Sequence, residues 1–320
     1  MGTALAKLMG DRGYRVIMWA RRKEIVKSIN ERRENIDYYP GIKLPLTVKA
    51  TNSMNDIMSA DMIFIAVPSH AVRAVCMGLR QVWGGEKKII VNTAKGVEYP
   101  PFKRLSAVIG EVLGANARVV IMSGPNFASE IIRGLPTGTT IASKDSEALS
   151  VVKEVLHGER FIVQASDDVI GVELGGVLKN VYAIAMGICD ALGVNENAYF
   201  FVLTEAFREM REIITRLGGK QESLFLSSGF GDLCLTSSSN KSRNRALGFI
   251  AGKEMLGNTD KSSVVLEGEK SIRALIDLTN NMGIRCPVLR FVYNVLIGRE
   301  KPYGEFLRLW HELKSSYDDR

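Results

Sequence analysis

Short apolar runs rich in β-formers alternate with helical stretches as far as about Ser166, and beyond Asp168 the strands stop. The strand-type runs are Arg15–Ala20, Met62–Val67, Lys88–Asn92, Arg118–Met122, Gly138–Ala142 and Arg160–Val163. Helical stretches between them include Lys23–Arg33, His70–Val82, Phe102–Leu113 and Ser146–His157. Such alternation has few physical solutions, because parallel strands need long crossovers and helices on both sheet faces supply them. Helical periodicities then take over: Val169–Leu192, Glu196–Leu217, Asn244–Ala251, Glu269–Met282, Val288–Leu296 and Tyr303–Lys314. The expectation is an α/β domain over residues 1–166, built on a doubly wound parallel sheet, followed by an all-helical domain over 167–320.

Composition narrows the function classes. At 320 residues, 46% hydrophobic and 24% charged, the chain has room for two ordinary cores. The net charge of +7 raises the question of nucleic acid, but the basic residues are spread along the chain without an arginine-rich run. A mild surplus of this kind also suits an enzyme with phosphate ligands, and no nucleic-acid partner is expected. Cys76, Cys189, Cys234 and Cys286 are far apart and form no CxxC pair, which predicts reduced, mostly buried thiols. The histidines stand singly, so no metal site is expected. No run reaches the ~18 uninterrupted apolar residues of a membrane span, and no signal sequence is evident. A cytoplasmic protein is expected.

The opening, "MGTALAKLMGDRGYRVIMWARR", reads as the second half of a βαβ unit. In dinucleotide-binding domains a GxGxxG turn follows the first strand and opens the first helix, with the pyrophosphate over the helix N-terminus. Gly2 stands where the third glycine belongs. After the next strand come Arg21 and Arg22 in place of a ribose-binding acid, and an arginine there pairs with a 2′-phosphate. The first strand of such a sheet is central, so the expectation is a native chain longer by roughly a dozen residues, carrying that strand and its Gly-x-Gly turn.

Four later stretches carry chemistry. In "NTAKGVE", Lys95 follows a strand end, at the sheet edge where ligands bind. In "SGPNFASEI", Gly124 permits close approach to the backbone and Asn126 offers a helix cap. In "LGGVLKNVYAI", Lys179 and Asn180 lie inside a long apolar helix after Gly175 and Gly176. Such a lysine either snorkels to water or is held with a lowered pKa as an acid/base. In "GFGDLCLTSSSNKSRNRALG", Asp232 and Thr236 share a helical face, and Ser242, Arg243 and Asn244 offer donors suited to phosphate.

These motifs, in this order, resemble the NAD(P)-dependent glycerol-3-phosphate dehydrogenases of the bacterial and glycosomal type. The likeness runs from Gly2 to about Ile297 and includes "GTALA", "AKGVE", "GPNFASE", "DDVIGVELGGVLKNVYAIAMGICDALG", "GFGDLCLT…SRNR" and "VLEG". The resemblance implies a Rossmann-like fold and reversible reduction of dihydroxyacetone phosphate to sn-glycerol 3-phosphate with NAD or NADP as cofactor. It also implies a place in glycerophospholipid synthesis and a homodimer. It makes Lys179 the catalytic lysine, Lys95 a contact of both cofactor and substrate, and Asp232 the carboxylate that orients Lys179. Gly124, Asn126, Asn180, Thr236, Ser242, Arg243 and Asn244 become substrate contacts. Gly2, Arg21, Ala128, Arg243, Val265 and Glu267 become cofactor contacts.

The chain departs from the family pattern at several positions. Met1 stands where an aromatic is usual, Asn126 replaces a serine or threonine, Ala94 a hydroxyl residue, and Glu205 an arginine. Two alternatives stay open on the sequence: a related 3-hydroxyacid or 6-phosphogluconate-type dehydrogenase, or a catalytically impaired nucleotide-binding protein.

Overall fold

The computed structural model describes residues 1–255 and 263–318, without the side chains of 263–266. The chain forms two units, one of Met1–Ala94 and Leu105–Val169, the other of Lys95–Arg104 and the chain from Ile170 onward.

In chain order the first unit holds α1 (Gly2–Asp11), β1 (Val16–Trp19), α2 (Lys23–Arg32), β2 (Val48–Thr51), β3 (Met62–Ile65), α3 (Val72–Val82) and β4 (Lys88–Asn92). After an excursion through β5 (Val97–Glu98) and β6 (Lys103–Arg104), it resumes with α4 (Leu105–Leu113), β7 (Ala117–Ser123), α5 (Ala128–Ile131), β8 (Thr137–Ala142), α6 (Ser146–Leu156) and β9 (Phe161–Ser166). The strands form a parallel pair β1–β2 and a five-stranded sheet in the order β3-β4-β7-β8-β9. Every residue of β4 is buried, as expected of a strand between two neighbours with both faces covered. Helix α1 spans both pieces: Ala4, Leu5 and Met9 pack with the five-stranded sheet, while Ala6 joins the cluster over β1 and β2.

The Rossmann-like class stands, and the sheet is interrupted as the expectation of a missing first strand implies; among the described residues, β1 and β3 each have only one strand neighbour. It is not wholly parallel, since β7 and β8 pair antiparallel. Strand β2 has no counterpart among the sequence expectations, because four residues with a lysine in the middle carry too little period-two signal.

The second unit is helical, with α7 (Val169–Leu192), α8 (Glu196–Arg216), α9 (Asp232–Ser238), α10 (Arg243–Gly252), α11 (Ser263–Asn281), α12 (Pro287–Leu296) and α13 (Pro302–Asp318). The antiparallel β5–β6 hairpin belongs here because Val97 enters the helical core, with Tyr99 and Phe102 against it. Residues 102–104 are therefore not the start of a helix, which begins at Leu105. Nearly all of α7 is buried. By length and composition α7 could cross a membrane, although Glu173 and Lys179 interrupt its apolar run, but 83% of its apolar window is buried inside the protein. All four cysteines are free, and Cys76, Cys189 and Cys286 are buried.

Candidate active site

Lys179 sits in the middle of α7 with only 7% of its surface exposed. A lysine so placed cannot snorkel, so it must find partners or lose its charge. Gly175, one turn earlier, lets the backbone of the 227–231 turn come close: a Cβ there would lie 2.9 Å from the Ser228 carbonyl. That turn runs into α9, whose first residue is Asp232. The Lys179 ammonium donates to Asp232 Oδ1 at 3.1 Å and to Thr236 Oγ1 at 2.8 Å. Asp232 and Thr236, four apart on α9, thus meet one amine from the same helical face.

Lys95 enters from the foot of the β5–β6 hairpin and donates to Asp232 Oδ2 at 2.7 Å. The hairpin is held by the Tyr99 hydroxyl on Asp277 and by Arg104 on the buried Glu173 of α7 at 3.1 Å. One carboxylate therefore anchors two ammonium groups, leaving a net positive charge in a largely water-free place. Burial alone raises the Asp232 pKa, yet Lys95 and Lys179 outweigh it and hold the group below the usual carboxylate range. Burial, reinforced by the Lys95 charge, lowers Lys179 to about 8 against the opposing pull of Asp232. An amine balanced near 8 gives and takes protons readily around neutrality, and the surplus charge favours a developing oxyanion.

The start of α10 lies on α7 beside this cluster. Asn244 donates to Asn180, the residue after Lys179, at 2.9 Å. Ser242 caps the helix by accepting from the Arg245 amide at 3.2 Å, and Arg243 is exposed at the first helical position. Glu267 is half-buried on α11. Val265 lies outside the residues whose side chains are described.

In the first unit, Gly124 has φ +143°, and a Cβ there would press on Asn126 Oδ1 and the Thr139 backbone at 3.1 Å. Asn126 Nδ2 donates to Thr139 Oγ1 at 2.8 Å, and Thr139 donates to the Ser123 carbonyl at 3.0 Å. This relay fixes the amide and leaves Asn126 Oδ1 buried without a partner, an acceptor suited to a ligand donor. Thr139 was not foreseen; its only sequence signal is the pair of buried hydroxyl residues, Thr139 and Thr140, ahead of Ile141 and Ala142 in β8. Ala128, the first residue of α5, is half-buried.

A dinucleotide fits the donors present. Helix α1 has no side-chain cap and no acid in its first turn, so no side chain of its own competes with an anion for the positive end of its dipole. Gly2 contributes less by packing than its place in the pattern implies, since a Cβ would make only ordinary contact, 3.5 Å from Ala66. Arg21 is exposed after β1, and Arg22 pairs with Asp37 at 3.0 Å. Among the described residues, no group of three or more His, Cys, Asp or Glu could hold a metal ion.

Comparisons with known proteins point one way. Family models for the N-terminus and C-terminus of NAD-dependent glycerol-3-phosphate dehydrogenase match residues 1–149 and 168–306. The glycerol-3-phosphate dehydrogenase (NAD(P)+) of Clostridium tetani is 36% identical over 302 residues, covering 93% of this chain and 86% of that protein. That of Methanothermobacter thermautotrophicus is 40% identical over 297 residues, covering 92% and 90%. The crystal structure of glycerol-3-phosphate dehydrogenase from Coxiella burnetii superposes with TM-score 0.88 at 32% identity, covering 96% of this chain and 95% of that one.

Proposed function

The chain belongs to the NAD-dependent glycerol-3-phosphate dehydrogenase family, and from that premise we propose that its helical unit protonates and deprotonates the C2 oxygen as dihydroxyacetone phosphate and sn-glycerol 3-phosphate interconvert. The protein is an NAD(P)-dependent oxidoreductase. A nicotinamide cofactor, when bound, would supply or accept the hydride. Lys179 donates a proton to the carbonyl oxygen in reduction and removes it in oxidation. Asp232 and Thr236 hold its amine in place, and Lys95 adds positive charge where the alkoxide develops.

Arg243, Ser242 and Asn244 are the phosphate-binding groups of this unit, with Asn180 steadying Asn244. In the first unit, Gly124 and Asn126 are substrate contacts, while Gly2, Arg21 and Ala128 serve the cofactor. Lys95, Arg243, Val265 and Glu267 are the cofactor contacts of the second. The protein works as a cytoplasmic homodimer supplying glycerophospholipid synthesis, which light scattering tests by reading twice the 35.3 kDa chain mass or not.

The observation that carries this proposal is the buried Lys179 bonded to both Asp232 and Thr236. Replacing it, Lys179→Ala, should lower turnover by about 10²–10⁴-fold while NADH affinity stays nearly intact. A loss below about tenfold removes Lys179 from the role.

A further inference from the structure

The helical unit buries a carboxylate that this chemistry leaves unused. Glu209, on α8, is 6% exposed. It accepts from the Val288 amide at 2.6 Å, the Leu289 amide at 3.0 Å and the Tyr182 hydroxyl at 2.9 Å. Burial pushes its carboxyl up to about 8 against the pull of those three donors, so the fold keeps a costly group here.

The three bonds tie three helices together. Val288 and Leu289 are in the first turn of α12, behind Pro287, and no side chain of α12's own N-cap serves them. A carboxyl group placed there gives those orphan amides the acceptor oxygens that the cap lacks. Tyr182 is fully buried on α7, three residues beyond Lys179. Leu178, Val181 and Ala185 of α7 belong to the apolar core, whose contacts are non-directional, while the Asn244–Asn180 bond and the close approach of Gly187 to Arg245 fix the side of α7 that faces α10. The Tyr182–Glu209 bond is directional and resists rotation or sliding of α7. A displacement of about 1 Å at Lys179 would break bonds of 2.8 and 3.1 Å to Thr236 and Asp232.

We infer that Glu209, acting through Tyr182, is a positioning residue that holds α7 in the rotation placing Lys179 on Asp232 and Thr236. The kinetic arm of its test rests on the proposed role of Lys179; the spectrometric arm does not.

Tyr182→Phe removes only the hydroxyl and leaves Glu209 its two amide donors. In that variant the Lys179 pKa is read from the pH dependence of amine labelling, followed by mass spectrometry. It should fall by about half a unit or more, because the ammonium loses its partners while it stays buried. Turnover of dihydroxyacetone phosphate should drop roughly tenfold, with the NADH dissociation constant within about twofold of the parent. Glu209→Gln, which sets an amide group against amide donors, should move the labelling pKa the same way. A folded Tyr182→Phe protein whose Lys179 pKa is unchanged or raised overturns the inference, whatever its turnover. If Lys179→Ala keeps full turnover, the acid role fails, and the labelling result still decides the positioning claim.

Discussion

Asp232 shows how one residue sets the properties of two others. It accepts from Lys95 and Lys179 side by side, and their joint charge in turn keeps it ionised despite burial. One departure from the family pattern is absorbed locally: Glu205 accepts from the Tyr317 hydroxyl at 2.8 Å and pairs with Arg208 at 3.1 Å. Arg21 and Arg22 are both exposed after β1, and Arg22 already has Asp37 as a partner, which leaves Arg21 the better placed for a 2′-phosphate. NADPH should therefore serve at least as well as NADH. Replacing Arg21 by alanine should weaken NADPH binding about three- to tenfold and leave NADH binding unchanged. The NADPH effect should shrink as salt is added. Steady-state kinetics at low salt that strongly favour NADH would show these arginines to be solvated surface groups.

At the scale of elements, close packing of α7 against α10 places the first residues of α10 beside Asn180, the neighbour of Lys179. A Cβ on Gly248 of α10 would lie 2.0 Å from the Ile184 carbonyl, and one on Gly187 of α7 would lie 2.0 Å from the Arg245 carbonyl. Backbone cannot swing aside as a side-chain tip can. Overpacking costs about 1–3 kcal/mol, which outweighs the ~1 kcal/mol that alanine gains over glycine in a helix. Gly248→Ala should therefore lower the urea midpoint. Gly110→Ala in α4, where a Cβ meets nothing within 4 Å, should leave it unchanged or raise it. Equal effects from the two substitutions would mean that the α7–α10 contact is looser than the distances state.

Much of this level was legible beforehand. The bounds of α7 and β4 were read without error, because a long apolar helix and a fully buried strand are set by local pattern. Strand β2, the β5–β6 hairpin and the antiparallel β7–β8 pair were not, since each depends on partners distant in sequence or on very short segments. The pairing of Lys95 with a carboxylate 137 residues away, and the Thr139 latch on Asn126, left no periodic trace at all.

For the whole molecule, the two units divide the labour that composition only hinted at. The first has a helix amino end without a side-chain cap and an exposed arginine, both of a kind that suits a dinucleotide phosphate. The second buries a cationic pair on one carboxylate, suited to a ketone that must gain a proton. A net charge of +7 fits a protein whose ligands are anionic, without any run of basic residues that would address a polyanion. The central claim is that Lys179 switches between acid and base near neutral pH. Its pKa of about 8 sets the signs: below that value it is an ammonium able to donate, above it a free amine able to accept. The most direct test is the pH dependence of turnover in both directions, measured with saturating cofactor. Reduction of dihydroxyacetone phosphate should fall as pH rises through about 8, and oxidation of glycerol 3-phosphate should rise through the same value, both inflections vanishing in Lys179→Ala. Profiles that are flat across that range, or inflections that persist without Lys179, would contradict it.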